Sequence, residues 1–160
     1  MSELRIGIGV DAHAFADGRQ LVLGGVELDH PRGLAGHSDG DVIAHALVDA
    51  VLGAAGAGDI GTLFPSTDRA LKGIDSLELL RSAYERVQAD GWELVNASCV
   101  LVGEEPRIGA HRAEMSAALA SALDVAPSCV HVAATTTDRL GFTGRAEGLA
   151  AEAVALLRRS

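Results

Sequence analysis

The stretch D-V-I-A-H-A-L-V-D-A-V-L-G-A-A, from Asp41 to Ala55, decides how this chain folds. Its apolar residues recur mainly at intervals of three or four, the period of a helix with one buried face. A glycine-rich run at residues 53–58 ends the pattern. We therefore expect a helix here that packs its apolar face against the rest of the domain. The residues that set the period are Val42, Ala46, Val48, Val51 and Leu52.

Predicted strands and helices alternate on both sides of this helix. Two short apolar runs around Gly24 and Gly25 indicate a hairpin. The alternation favours an α+β or α/β fold, with one layered domain over residues 1–160 and helices covering one face of a β-sheet. We expect the other sheet face to pack against identical subunits. Strands are predicted at residues 5–11, 21–28 (the hairpin), 92–102 and 129–134, and helices at residues 76–90, 112–123 and 147–159.

The composition argues against several classes of protein. Lys and Arg number 13 against 22 Asp and Glu, a net charge of −9, so we expect no nucleic-acid partner. The chain has neither a run of about 18 apolar residues nor a signal-peptide pattern, so we expect a cytoplasmic protein without a membrane span. Cys99 and Cys129 lie in apolar runs without C-x-x-C spacing, which predicts small core residues rather than metal ligands or a disulfide.

Asp11, His13 and His45 are candidate metal ligands. Asp11 and His13 lie two positions apart at the end of a predicted strand, so their side chains point to the same side. His45 lies on the predicted helix, in a ridge with Asp41 and Asp49 at intervals of four. Three such ligands and an open fourth position are typical of catalytic zinc. The same residues are also typical of a hydrogen-bonded structural histidine pair.

Two residues just before the helix extend this group. Ser38, three positions before Asp41, is typical of a capping box, which would make both residues structural. A cap does not account for His37 outside the helix or for His45 one turn inside it. The start of the helix is therefore a candidate functional site.

Another polar group follows the predicted strand at residues 129–134. Thr135 to Thr137 precede Asp138, and a glycine-containing loop then carries Arg145. Hydroxyls, a carboxylate and an arginine are typical of a metal-bridged diphosphate site. The alternative is a threonine-rich strand end followed by ordinary turns. A long polar loop at residues 59–73 is typical of a binding loop or lid.

Five motifs occur in one order: D-A-H (11–13), G-H-S-D-G-D-V-I-A-H (36–45), G-D-I-G-T-L-F-P-S-T-D (58–68), K-G-I-D-S (72–76) and A-T-T-T-D-R-L-G-F-T-G-R-A-E-G (134–148). With these motifs the chain resembles the 2-C-methyl-D-erythritol 2,4-cyclodiphosphate synthase family of the non-mevalonate isoprenoid pathway. The resemblance runs from Arg5 to Leu157. Several motifs in one order with compatible gaps are far more specific than any one of them.

The resemblance implies conversion of 4-diphosphocytidyl-2-C-methyl-D-erythritol 2-phosphate to the 2,4-cyclodiphosphate with release of CMP. The 2-phosphate attacks the β-phosphorus, an attack between anions that needs cations to neutralise charge and align the groups. The resemblance further implies a homotrimer with active sites at subunit interfaces. Each site would hold zinc, or another divalent transition metal, and a second divalent cation, Mg²⁺ or Mn²⁺. The central channel would be a site for an isoprenoid diphosphate.

The resemblance also assigns roles to individual residues. The three candidate metal ligands match the zinc ligands of the family, and Asp138 matches the position that holds the second cation. His37 and Thr136 match two residues that stabilise the transition state. Asp41 and Asp49 are candidates for orienting the zinc ligands.

Further positions match substrate contacts. His37 and Ser38 match residues at the methylerythritol phosphate, and residues 103–109 with Thr135 match a cytidine pocket contributed by a neighbouring subunit. The complete set of expected contacts is Asp11, His13, His37, Ser38, Asp59, Ile60, Gly61, Phe64, Pro65, Ser66, Thr67, Asp68, Gly103, Pro106, Arg107, Ile108, Gly109, Thr135, Thr136, Thr137, Asp138, Phe142 and Arg145.

The chain departs from the family pattern at several positions. Asp138 replaces an expected Glu, Arg139 an expected Lys, and Ser66 an expected Asp. Glu104 and Glu105 make the cytidine-pocket segment more acidic than usual. None of these departures falls on the three candidate zinc ligands.

Two other functions fit the same residues. A zinc phosphohydrolase would use activated water and give a product without a ring. A trimeric, zinc-stabilised binding module would show no turnover. An open fourth coordination position argues against that module, because structural zinc sites are usually closed and rich in cysteine.

Overall fold

A mixed β-sheet and the helices beside it organise residues 2–160, the part of the chain that this computed structural model describes. The elements in chain order are β1 (Glu3–Asp17), β2 (Leu21–Leu23), β3 (Val26–Leu28), β4 (Arg32–Leu34), α1 (Val42–Ala55), α2 (Ile60–Leu63), α3 (Ser76–Ala89), β5 (Glu93–Val102), α4 (Arg112–Ala122), β6 (Val130–Thr135), α5 (Gly141–Gly144) and β7 (Gly148–Arg159). The larger sheet has the strand order β4-β1-β7-β5-β6. Its neighbouring strands are antiparallel except β5 and β6, which are parallel. The predicted mixed α+β class is confirmed.

Helix α1 packs directly against β1, and two glycines on β1 allow this close approach. A Cβ built at Gly7 would lie 2.0 Å from the Ala50 carbonyl oxygen, and one at Gly9 would lie 1.9 Å from that of Ala46. Because glycine places no side chain between them, the strand and helix backbones come into contact. The next two inward-facing residues of β1 are candidate metal ligands, which this packing brings to the start of α1.

Asp41 connects the start of α1 to the β2–β3 hairpin. Its buried carboxylate caps the helix by accepting a hydrogen bond from Ala44 N at 3.1 Å. It also accepts from Gly24 N at 2.8 Å and Gly25 N at 2.7 Å, in a turn where both glycines are left-handed. Burial raises the pKa of Asp41 to about 6. The predicted hairpin and helix start are both confirmed, and one side chain holds them together.

The final segment corrects the prediction of a helix at residues 147–159, since it forms β7 between β1 and β5. The segment is rich in Ala and Leu, which favour helices, but its buried positions recur every second residue. Pairing with strands on both sides outweighs the local preference. The buried residues of this series are Leu149, Ala151, Ala153, Ala155 and Leu157.

The remaining predicted elements are confirmed with small shifts in their ends. The strand predicted at residues 5–11 is longer, because β1 continues its pairing with β7 and then with β4. Three short elements, β4, α2 and α5, were not predicted. They are three or four residues long, too short to show a period.

Strand β1 exposes apolar side chains on the sheet face opposite α1. Leu4, Ile6, Ile8 and Val10 of β1 are 59–72% exposed, although they alternate with residues buried under the helix. Contiguous exposed apolar surface is typical of an interaction face. Within residues 2–160, no helix has both the length and the apolar character needed to cross a membrane.

Candidate active site

Asp11, His13 and His45 meet at the start of α1. Asp11 Oδ2 lies 2.8 Å from His13 Nε2 and 3.0 Å from His45 Nδ1, and the two ring nitrogens are 3.1 Å apart. Donor atoms around one tetrahedral zinc ion lie about 3.4 Å from each other, given ligand distances of about 2.1 Å. Two imidazoles and a carboxylate at this spacing therefore fit a single zinc ion.

Burial and hydrogen bonding shift the pKa values of Asp11 and His13. Burial raises the pKa of Asp11, but hydrogen bonding with His13 and His45 outweighs burial and holds that pKa at about 2. The hydrogen bond to Asp11 raises the pKa of His13. Asp11 is thus a carboxylate at neutral pH and supplies a negative oxygen to the group.

The triad lies in a cleft of about 380 Å³ between β1, α1 and the loop after α1. This cleft brings together many predicted contacts for the methylerythritol phosphate. His37 is oriented within it by a hydrogen bond from Nε2 to the Asp68 carbonyl oxygen at 2.9 Å. The lining residues are Asp11, His13, His37, Ser38, His45, Ile60, Gly61, Phe64, Pro65, Ser66, Thr67, Leu71, Ile74 and Leu79.

Asp49 and Asp59 shape the loop on one side of this cleft. Asp49 accepts a hydrogen bond from Ile60 N at 2.7 Å, and burial raises its pKa. Asp59 caps α2 by accepting from Thr62 N at 2.8 Å. The hydrogen bonds of Asp49 and Asp41 recorded within residues 2–160 go to backbone N–H groups and not to a zinc ligand. These carboxylates position the loop and the hairpin, and a role in orienting the zinc ligands stays a prediction.

A second cleft of about 480 Å³ contains the predicted cytidine contacts. It lies where β5 and β6 end, and within residues 2–160 none of its lining residues also lines the first cleft. The two predicted halves of the substrate site therefore lie in two different clefts of the chain. The lining residues are Gly103, Glu104, Pro106, Arg107, Ile108, Gly109, Arg112, Ala134, Thr135 and Thr136.

Asp138 lies on an exposed turn outside both clefts, and Glu104 holds this turn. Asp138 and Arg139 are both left-handed, with φ of 52° and 64°. Such a backbone is unfavourable for residues with a Cβ. Glu104 Oε1 accepts a hydrogen bond from Arg139 N at 2.9 Å, which stabilises the turn. Phe142 and Arg145 lie beyond it, and Arg145 pairs with Glu147 at 3.0 Å.

Glu105 holds the same cytidine-pocket segment from its other side. Its carboxylate lies 3.2 Å from the Arg32 guanidinium and 3.5 Å from His30 Nε2. Arg32 also donates to the Ala146 carbonyl oxygen at 3.2 Å. The two acidic departures from the family pattern therefore join this segment to neighbouring loops.

A model of the YgbB family matches residues 4–158. This chain belongs to the YgbB family. The 2-C-methyl-D-erythritol 2,4-cyclodiphosphate synthase of Rubrobacter xylanophilus is 56% identical over 163 residues, covering 100% of this chain and 98% of that protein. The protein of the same name from Alkalilimnicola ehrlichii is 55% identical over 157 residues, covering 98% of this chain and 96% of its own length.

A solved structure of a synthase of this name, in a CDP-bound form, has a TM-score of 0.87 and 39% identity. The match covers 96% of this chain and 99% of that one. The family resemblance seen in the five motifs is thus confirmed.

Sequence reasoning missed two side chains that contact the triad region, Asp39 and Ser76. Ser76 Oγ lies 2.8 Å from His45 Nε2 and is hydrogen-bonded to Asp39. Both residues stand inside quoted motifs, which is the one sequence signal that pointed to them. Spacing alone predicted only a helix start at Ser76.

Proposed function

We propose that this chain forms 2-C-methyl-D-erythritol 2,4-cyclodiphosphate from 4-diphosphocytidyl-2-C-methyl-D-erythritol 2-phosphate and releases CMP. It is a phosphorus–oxygen lyase of isoprenoid biosynthesis, like the YgbB-family relatives that carry this name. The observation that carries the proposal is the triangle of Asp11, His13 and His45 inside a cleft, in a chain 56% identical to a named synthase. Residues 1–160 are proposed to act as one domain, and the cytoplasmic location stays a prediction.

The chain contributes ligands, orientation and charge stabilisation to this reaction. Asp11, His13 and His45 would hold a divalent ion, which would supply positive charge to neutralise phosphate oxygens. Ser38 lines the same cleft and is assigned a contact to the methylerythritol phosphate. His37, fixed by its bond to the Asp68 carbonyl, and Thr136 are assigned the stabilisation of charge on the reacting phosphates. The side chains of the protein therefore hold the attacking phosphate and the diphosphate in line.

We assign the complete active site to two neighbouring subunits of a homotrimer. The separation of the triad cleft from the cytidine cleft supports this, because one cytidine-linked substrate must contact both. The exposed apolar face of β1 supports it as well, since trimer contacts would remove Ile6 and Ile8 from water. The CDP-bound relative supports a cytidine-linked ligand. An isoprenoid diphosphate in the trimer channel stays a prediction.

Asp138 is assigned to the second cation, Mg²⁺ or Mn²⁺. Its carboxylate is exposed, and it follows the threonines that line the cytidine cleft. Carboxylate oxygen and phosphate oxygens are the ligands that such hard cations prefer. Its side chain is one methylene shorter than the expected Glu, so a water molecule or the left-handed turn must make up the difference.

The proposal is tested by CMP release with zinc and magnesium, comparing the wild type with His45→Ala. Loss of the ligand should abolish turnover and weaken zinc binding while the fold remains. His111→Ala is the matched control, because the His111 side chain is 43% exposed and its Nδ1 lies 3.9 Å from the Glu114 carboxylate. The control should keep wild-type activity. Normal turnover and retained zinc in His45→Ala would contradict the assignment of His45 as a zinc ligand of a synthase.

A further inference from the structure

His45 is held from both sides of its ring. Its Nδ1 faces Asp11 and His13, whereas its Nε2 points away from them into the protein. Ser76 Oγ lies 2.8 Å from that Nε2. Ser76 is fully buried and His45 is 8% exposed, so the contact is shielded from water.

Ser76 is in turn bound by Asp39. The Ser76 hydroxyl is hydrogen-bonded to Asp39 Oδ1, and Ser76 N donates to Asp39 Oδ2 at 3.0 Å. Asp41 N also donates to Asp39 Oδ1, at 3.0 Å. Ser76 Oγ is the donor in its hydrogen bond to Asp39 Oδ1, and a hydroxyl has a single proton to donate. The Ser76 oxygen is left to accept the N–H of His45 Nε2.

We propose that Ser76, backed by Asp39, is the positioning residue that keeps the proton of His45 on Nε2 and turns the Nδ1 lone pair toward the metal. Metal-binding histidines commonly donate their second ring N–H to a fixed acceptor in this way. The inference rests on the metal site of the proposed function and does not depend on the identity of the substrate.

The segment that carries Ser76 is tied to the segment that carries Asp39. Gly73 N donates to the His37 carbonyl oxygen at 2.8 Å, and Asp39 N donates to the Ile74 carbonyl oxygen at 3.2 Å. The K-G-I-D-S motif thus runs alongside the residues before α1. This gives the motif a role, because it places the Ser76 hydroxyl beside His45 Nε2, the ring nitrogen that faces away from the metal site.

Ser38 is the competing acceptor for the same N–H. Its Oγ lies 3.0 Å from His45 Nε2, but it already accepts from Gly40 N at 3.2 Å. Ser38 also lines the cleft, where the substrate phosphate is expected. Ser76 is closer to the ring and has a carboxylate behind it, so Ser76 carries the positioning role.

The first test is zinc affinity, measured by competition with a chromophoric chelator on the full chain. Ser76→Ala should raise the zinc Kd by about 10- to 100-fold, the usual effect of removing such a partner. Asp75→Ala is the matched control, because Asp75 caps the same helix start by accepting from Leu77 N at 2.9 Å. The control should keep the wild-type zinc Kd even if it melts at a lower temperature.

A second measurement needs no variant. In the zinc-loaded wild type, proton NMR should show an exchange-protected imidazole N–H with a nuclear Overhauser contact to Ser76. A wild-type zinc Kd in folded Ser76→Ala, or the absence of that protected N–H, would overturn the inference. If the zinc effect is seen in a chain that makes no cyclic product, the positioning role is supported and the proposed function is contradicted.

Discussion

Gly9 lies directly against the backbone of Ala46, and a Cβ there would come within 1.9 Å of the Ala46 carbonyl oxygen. That contact sets the distance between β1 and α1, and so the distance from Asp11 and His13 to His45. Gly9 thus helps to set the geometry of the metal site, although it supplies no metal ligand or reactive group.

Replacing Gly9 with Ala should therefore damage both stability and the metal site. The methyl group must push α1 away from β1, which should lower the free energy of unfolding by about 1–3 kcal/mol or more. Urea unfolding and zinc titration measure the two effects. Gly109→Ala is the stability control, since nothing lies within 4 Å of a Cβ there. Equal stability and zinc affinity in wild type and Gly9→Ala would contradict this packing.

Asp41 should make the chain less stable as the pH rises from about 4 to 6. Burial raises its folded-state pKa to about 6 from an ordinary value of 3.8, so in this range the folded chain binds more protons than the unfolded chain. The free energy of unfolding then falls as pH increases. Urea unfolding across this range should show that the free energy of unfolding falls with pH in the wild type and changes less with pH in Asp41→Asn. The same slope in both proteins would rule out Asp41 as its source.

Glu104 should influence substrate binding through the Asp138 turn. Glu104→Ala removes the acceptor for Arg139 N, worth about 0.5–1.5 kcal/mol, so KM should rise about three- to tenfold. Glu104→Gln keeps a carbonyl oxygen as acceptor and should stay close to wild type. Steady-state kinetics of CMP release give both values. If the Gln variant loses as much as the Ala variant, the charge of Glu104 matters and not its hydrogen bond.

Asp138→Glu should keep activity, because it restores the side chain expected in the family at this position. Asp138→Ala should require a higher concentration of Mg²⁺ for half-maximal activity, since it removes the proposed carboxylate ligand. The rate of CMP release, measured at increasing Mg²⁺ concentration, distinguishes the Glu variant from the Ala variant. An inactive Asp138→Glu would show that the left-handed turn is fitted to the shorter side chain.

Ile8→Asp should dissociate the proposed trimer. Ile8 is 65% exposed in the single chain, and burying a charge there on association costs several kcal/mol. Sedimentation velocity should show a smaller species with reduced activity, because the cytidine cleft of the neighbour is lost. Ile8→Val keeps the apolar surface and should stay trimeric. A monomeric Ile8→Asp with full activity would contradict a shared active site.

Local rules account for the parts of the site that the sequence predicted. Asp11 and His13 share a side because strand side chains alternate, and His45 is buried together with all its neighbours at residues 42–48 of α1. A zinc site that joins these two elements is one of two interpretations of the spacing, and the five-motif resemblance favours it. The spacing rules alone left a structural histidine pair equally open.

Contacts between distant segments account for what was missed. Asp39 and Ser76 are 37 positions apart, and no local period connects them. At residues 147–159 the local signal is wrong, since Ala and Leu favour a helix although the folded segment buries every second residue. The segment forms a strand because it pairs with β1 on one side and with β5 on the other.

The most direct test of the central claim is phosphorus NMR of the reaction with the cytidine-linked substrate, zinc and magnesium. The synthase assignment predicts that CMP and a cyclic diphosphate appear together in equal amounts. CMP with a linear phosphate would mean that water, and not the substrate's own 2-phosphate, attacks the β-phosphorus. That result would contradict the synthase and favour a zinc phosphohydrolase, and an unchanged spectrum from zinc-loaded protein would contradict turnover altogether.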